Sequence, residues 1–389
     1  MAAVTAVVAV LAVAALLALV FVGVSNPGHL LSPGAAHHRA GAARHATGAT
    51  APKGTSRATT PSPAPAGAAR PVSTTGVTTP SLQVAQTKWQ LAAPVGDETA
   101  LTVPGAPSEL ELLGGVTTGG RRADGVFVVN LTTGSLTLVG DLQSPLADAA
   151  GAVVGGRGLV AGGGTPAPQA SVQGLPATAL APAGRRAGAT TTVVGTLPSP
   201  RLGATAVTVG TVTYLVGGQD GAAAQPAVLA TGDGHTFTTV ATLPDPVAFP
   251  AVAAVGTDLY VFGGTALDGP SAGRPTATVQ RVDPLTGRVT EVGQLPEPVA
   301  GASAVVLADQ VYVLGGDASG TIWAATPAAT DGARVAVRAV GTLPVPVSHA
   351  GVAVVGDTAW VVGGESAGAP VSAVQTVTSA PAPDRKSVV

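Results

Sequence analysis

Residues 364–368 read GESAG, a match to G-x-S-x-G, the pattern that exposes a nucleophilic serine on a sharp strand-to-helix turn. That chemistry also needs a histidine later in the chain, and none follows Ser366. Apolar, β-branched sequence follows the turn instead of a helical pattern, so the match carries no hydrolase. Asp245 and Glu297 stand at equal places in two similar segments, LPDP and LPEP, and such carboxylates can act as the acid and base of glycoside chemistry. Nothing else in the sequence supports that geometry. The chain has no cysteine, which excludes thiol catalysis, thiolate metal sites and disulfides. His37, His38 and His45 lie in an Ala/Gly/Thr-rich stretch where solvated side chains are expected rather than metal ligands. The sequence therefore predicts no catalytic residue, no metal site and no cofactor.

The elements that would position polar side chains come from an internal repeat. LPEPVAGASAVVLADQVYVLGG (295–316) is matched by segments beginning at Leu197, Leu243 and Leu343, and more loosely by one at Leu142. In all five, the leucine lies 20 positions before the first glycine of a Gly-Gly pair. A sixth copy, 91–115, has a spacing of 23. The first glycines, Gly114, Gly162, Gly217, Gly263, Gly315 and Gly363, follow one another at 48, 55, 46, 52 and 48 residues. Two runs of β-branched and aliphatic residues flank a polar turn in each unit, the pattern of a hairpin. Three residues before the pair stands Tyr214, Tyr260, Tyr312 or Trp360, replaced by Leu159 and Glu111 in the two loose copies. A third and a fourth strand follow. Their turn is clearest in VDPLTG and VNLTTG, where Asp283 or Asn130 can cap the turn and Gly287 or Gly134 can take a left-handed conformation.

A period near 50 with this signature resembles the kelch repeat, one blade of a β-propeller. The resemblance spans about residues 82–380 and implies an all-β, six-bladed kelch-type β-propeller. The half unit TKWQLAAPV (87–95) lacks a Gly pair, while the last unit lacks a fourth strand. Residues 83–91 are therefore expected to supply that strand and shut the ring.

In such a meander the second-to-third-strand loops and the blade-to-blade connections emerge on one face. The connections bring Arg201, Asp245, Phe249, Glu297 and His349 to that face. The loops after the Gly pairs add Asp220, Asp317 and Glu365, together with Arg121, Arg122, Asp268 and Arg274. These are the candidate ligand contacts. The resemblance marks Arg201 and His349 further, since kelch units often carry Arg and His there. It also includes enzymes: copper-radical oxidases, whose Cys–Tyr crosslink this chain cannot form, and bacterial sugar epimerases.

Ahead of the repeat, residues 2–24 carry no charge, and as a helix they would span about 34 Å, enough to cross a membrane. A basic n-region and a good cleavage site are missing, so an uncleaved anchor is expected rather than a signal peptide, which would leave a secreted protein. Residues 25–81 are rich in Ala, Thr, Pro and Gly, and are expected to be a disordered linker. The nearest basic residues, Arg39 and Arg44, follow the apolar stretch and on their own favour a cytoplasmic domain. The stalk-like linker favours the outside, where we place the propeller. All six basic residues before Asp97 lack an acidic counterpart, leaving 13 Lys and Arg against 21 Asp and Glu in the rest. An acidic body argues against nucleic acid as a partner. The tail 381–389 is expected to be non-native, because DRKSVV is the translation of a common sequencing-adapter string. The expectation is a monomeric, membrane-tethered, extracytoplasmic propeller that binds a protein or glycan. The alternative is a carbohydrate-modifying enzyme, epimerase- or glycosidase-like, using the loop face.

Overall fold

A computed structural model describes residues 81–164, 167–175, 189–327 and 334–380. The expected anchor, nearly all of the linker and the tail lie outside the described residues. Among the described residues no helix is long and apolar enough to cross a membrane. The one helical turn there is a short 3-10 segment, Gly269–Ser271.

The described chain forms six antiparallel blades. Blade 1 is built from Thr99–Thr102, Glu109–Leu113, Gly125–Asn130 and Leu136–Asp141. Blades 2 and 3 begin at Ala147–Val154 and Leu202–Val209, blades 4 and 5 at Ala251–Val255 and Ser303–Leu307. Blade 6 takes Gly351–Val355, Thr358–Val362 and Val374–Ala380 from the C-terminal end, and its outer strand, Ser81–Gln86, from the N-terminal side. Ser81 pairs with Ala380 and Gln86 with Gln375. The closing strand thus ends five residues earlier than the 83–91 expected from sequence. Beyond it the chain stays tied to blade 6 through the Leu91 amide, which donates to Ser372 O at 2.9 Å. Trp89 also stacks on Trp360 there, at 6.2 Å.

The core is six apolar layers, each shared by two neighbouring blades. Tyr214, Val228, Val252 and Val261 form the layer between blades 3 and 4, and Leu110, Leu112, Val362 and Val374 the one between blades 1 and 6. A strand with apolar neighbours on both faces needs apolar residues at consecutive positions, which explains the unbroken Val/Leu/Ala runs. Tyr214, Tyr260 and Tyr312 are buried in these layers, as are Leu159 and Glu111 at the same position of blades 2 and 1.

The Gly pairs join the blades. The first glycine of each has positive φ, and a Cβ on Gly217 or Gly363 would come within 2.5–2.6 Å of the Val247 or Val95 carbonyl oxygen of the next blade. The second glycine donates its N–H to the matching carbonyl in five joints, including Gly364 to Val95 O at 2.9 Å, which crosses the ring closure. Only glycine allows a backbone approach this close at that φ.

Buried glutamines hold the blade-to-blade turns. Gln280 donates to Asp245 O at 2.8 Å and Gln375 to Val345 O at 2.9 Å. Gln173 accepts from Gln143 N at 2.9 Å and from Thr191 Oγ1 at 2.6 Å. The 55-residue step contains an insertion between the third and fourth strands of blade 2. Part of it, Ala189–Thr190, runs parallel to the outer strand of blade 1 and covers that edge.

Candidate functional site

Six residues after the leucine of each L-x-x-P segment, the chain takes a left-handed conformation. These residues are Asp97 (φ 58°), Asp148 (55°), Gly203 (68°), Phe249 (56°), Gly301 (65°) and His349 (53°). Four of the six are not glycine, and each pays roughly 1–2 kcal/mol for that backbone. Hydrogen bonds offset the cost by linking the residues round the axis. His349 N donates to Gly301 O at 2.7 Å, Asp97 N to His349 O at 2.9 Å, and Asp148 N to Asp97 O at 3.0 Å. On the other side Phe249 N donates to Gly203 O at 2.7 Å and Gly301 N to Phe249 O at 3.0 Å.

The side chains of this ring meet at the axis. Phe249 and His349 pack with ring centroids 4.8 Å apart and a 60° tilt. The two glycines make room for them. A Cβ on Gly203 would lie 2.5 Å from Phe249 Cε1, and one on Gly301 2.6 Å from His349 Nε2. His349 Nδ1 lies 3.2 Å from Asp97 Oδ1 and 3.3 Å from Asp148 Oδ1. Burial works against a charged imidazole here, but the hydrogen bonds and charges of Asp148 and Asp97 outweigh it and push His349 up to about 10. Burial raises Asp148 to about 6 against the pull of His349. At neutral pH the three groups form an imidazolium held between two carboxylates. The Nδ1 proton is already shared, so His349 is poorly suited to act as a general base.

Glu98 lies beside this trio, 6% exposed, and lines the same axial cavity of about 120 Å³. Its Oε1 accepts from Gly351 N at 3.2 Å, while Oε2 is buried with no hydrogen-bond partner. Burial pushes its carboxyl up to about 8, so it is protonated at neutral pH. One nitrogen and two carboxylate oxygens of His349, Asp97 and Asp148 lie within 4.8 Å of one another, which makes them the described group able to hold a metal ion.

The structure brings together two of the residues expected from sequence, Phe249 and His349. Arg201 is buried at 1% exposure, away from the face. Its Nη1 donates to Gly217 O at 2.9 Å, and burial lowers its pKa to about 10. Asp245 is exposed on a blade-to-blade turn, whereas Glu297 is exposed within the last strand of blade 4, Arg288–Val299, rather than on a connection. Asp220 caps its own loop, accepting from Ala222 N and Ala223 N at 2.9 Å and from Gln225 at 3.0 Å. Asp317 does the same with Gly320 N at 2.6 Å and Ser319 at 2.9 Å. Glu365 lies against Gly96, and its backbone exchanges hydrogen bonds with Ser348. Arg122 Nη1 donates to Gly164 O at 2.7 Å, a link from blade 1 to blade 2. Sequence reasoning missed Asp97, Glu98 and Asp148. Their signal was available: Asp97 and Asp148 occupy the column of the repeat that holds Phe249 and His349.

Comparison with known proteins agrees with this architecture. A family model described as Kelch motif matches residues 246–296, most of blade 4 and its leading turn. No curated protein matches the chain. The solved structure of YjhT is similar at 14% identity, with a TM-score of 0.57, over 74% of this chain and 94% of that one. At that identity the likeness speaks for the fold alone. The protein carries a kelch motif on a six-bladed propeller.

Proposed function

We propose that the chain is a non-catalytic binding module that docks a protein on the face where the blade-to-blade connections and the post-glycine loops emerge. One observation carries this reading: the trio at the centre of the face, Asp97, Asp148 and His349, is committed to itself, beside a cavity of about 120 Å³. Pockets that enclose small-molecule ligands run to roughly 300–1,000 Å³. The loop carboxylates Asp220 and Asp317 are likewise spent on capping their own turns. What remains for a partner is a broad surface bearing Asp245 and Glu297, both exposed. Kelch propellers are typically protein-binding modules, which favours a protein over a glycan.

The propeller is tethered to a membrane through residues 2–24 and held on the outer side by the linker. The support is the uncharged apolar stretch and the Pro- and Thr-rich composition that follows it.

The test is proximity crosslinking on intact cells. It compares wild type with Asp245→Lys/Glu297→Lys and with Asp309→Lys/Asp357→Lys, which changes exposed hairpin turns on the opposite face. A partner kept by wild type and the second variant but lost by the first supports the reading. Equal capture by all three, or a glycan-array hit that Asp245→Lys/Glu297→Lys abolishes, refutes protein docking on this face. Protection of the propeller from added protease on intact cells would refute the outside placement.

A further inference from the structure

We infer that Asp97, Asp148 and His349 form a site for a divalent first-row cation such as Zn²⁺ or Mn²⁺, with Glu98 hydrogen-bonded to the ion's water. This goes beyond docking on the face, since the site needs no bound protein.

The first argument is geometric. Three potential ligand atoms, from the leading turns of blades 1, 2 and 6, lie within 4.8 Å of one another. Two carboxylate oxygens and an imidazole nitrogen are a donor set for borderline or hard divalent ions, and there is no thiolate to favour a softer one. Backbone hydrogen bonds join the three turns in sequence, Asp148 N to Asp97 O and Asp97 N to His349 O, so little reorganisation is needed to collect them. An ion would take the place of the proton that His349 Nδ1 shares with both carboxylates.

The second argument is Glu98. It is 6% exposed and lines the same cavity, and its Oε2 has no hydrogen-bond partner. A buried polar atom left without a partner is costly and calls for an explanation. Polar groups just outside a metal's ligands hydrogen-bond to the site and hold it in place. The cavity, about 120 Å³, has room for an ion and a few waters at roughly 30 Å³ each. Three protein ligands leave at least one position for water. An ion here would also pin blades 1, 2 and 6 across the ring closure.

The experiment uses the full chain without an affinity tag, stripped with chelator, in a background where His37, His38 and His45 are changed to Ala. That removes the histidines of the linker as a competing zinc site. Titration calorimetry with ZnCl₂ and MnCl₂ should show one ion per chain. Asp148→Asn and His349→Gln should each weaken binding at least 10-fold, while Asp317→Asn leaves it unchanged. Anomalous diffraction at the zinc edge should show a peak about 2.0–2.2 Å from the three ligand atoms. That peak in wild-type protein decides the matter even where a variant fails to fold. Absence of saturable binding by cooperatively melting protein, a peak elsewhere, or equal affinity in both ligand variants overturns the proposal.

Discussion

Glu98→Gln isolates the buried axial carboxyl. Glutamine keeps the shape and an oxygen for the Gly351 amide, now at 3.2 Å, and removes the ionisable proton. Burial raises the Glu98 pKa from 4.5 to about 8. The folded protein therefore binds this proton more tightly than the unfolded chain does. Stability is unaffected by the group below 4.5, falls as pH rises through the window, and bears the full penalty above 8. The gap between 4.5 and about 8, at ~1.4 kcal/mol per pH unit, sets a ceiling of about 5 kcal/mol. Water drawn to Oε2 on ionisation reduces it, so roughly 2–5 kcal/mol is expected. The assay is denaturant unfolding at pH 5 and pH 9, in chelator, followed by tryptophan fluorescence. The readout is the change between the two pH values in the difference between variant and wild type. Groups that titrate in both proteins, His349 and Asp148 among them, cancel in it, as does any constant cost of the buried amide. Glu98→Gln should gain on wild type by roughly 2–5 kcal/mol between pH 5 and pH 9. A difference constant to within about 0.5 kcal/mol would show that Glu98 ionises as a solvated carboxyl, and the burial argument would fail.

Four further outcomes are expected. The imidazole of His349, raised from 6.5 to about 10, contributes stability that is complete below 6.5 and lost as pH rises through about 10. Its Cε1–H proton resonance should therefore stay at the imidazolium position at pH 8 in chelator, and a midpoint near 6.5 would contradict the Asp97–His349–Asp148 geometry. Gly301→Ala should cost at least about 1 kcal/mol more than Gly210→Ala in urea unfolding. The two share a similar positive φ, but a Cβ meets His349 only at Gly301 and nothing within 4 Å at Gly210. Arg201→Ala should lower stability by about 3 kcal/mol, through a cavity and an orphaned Gly217 carbonyl, and Arg201→Met by less than half of that. Deleting Ser81–Gln86 strips the outer strand from blade 6, and the product should lose its cooperative thermal transition; an unchanged melting temperature would rule out the closure by this strand.

The blades were legible in the sequence because their joints admit so few residues. A carbonyl of the next blade occupies the space of a Cβ at the first glycine of each pair, so the pair recurs even where the strands drift. The turns of Asp283 and Asn130 were legible for the same kind of reason. Asp283 Oδ1 accepts from Leu285 N at 2.9 Å, Asn130 Oδ1 accepts from Thr132 N at 3.0 Å, and Gly287 and Gly134 follow with positive φ. Features held by non-local pairing were less legible: the closure itself could be read from the unpaired half units, but not the bounds of the strand that makes it. The closing strand places Leu82 and Val84 against the layer between blades 5 and 6, but its ends are set by its partner, Val374–Ala380. The Ala189–Thr190 strand exists because blade 1 offers an open edge. Buried Gln173, Gln280 and Gln375 look like surface residues until the turns they hold are in place.

The axial site shows what kind of evidence a ring of repeats offers. Arg201 and His349 were singled out together, yet they stand at different places in their units, four and six residues after the leucine, and those two residues separate two depths in the propeller. Position four backs onto the Gly pair of the preceding blade, and there Arg201 is buried; position six takes the left-handed turn and faces the axis. A column of the repeat is thus a fixed position relative to the axis, and six columnar residues become neighbours regardless of their separation in sequence. Asp97 and His349 are 252 positions apart and in hydrogen-bonding range. Asp97 and Asp148 escaped notice because they belong to the loosest copies: both lack the aromatic residue before the Gly pair, and the copy of Asp97 also departs in spacing. Departure from a repeat is expected where a residue serves the centre rather than its own blade, since packing between blades no longer selects it. On that argument the loosest copies of a propeller, not its best ones, are where its axial chemistry should be sought.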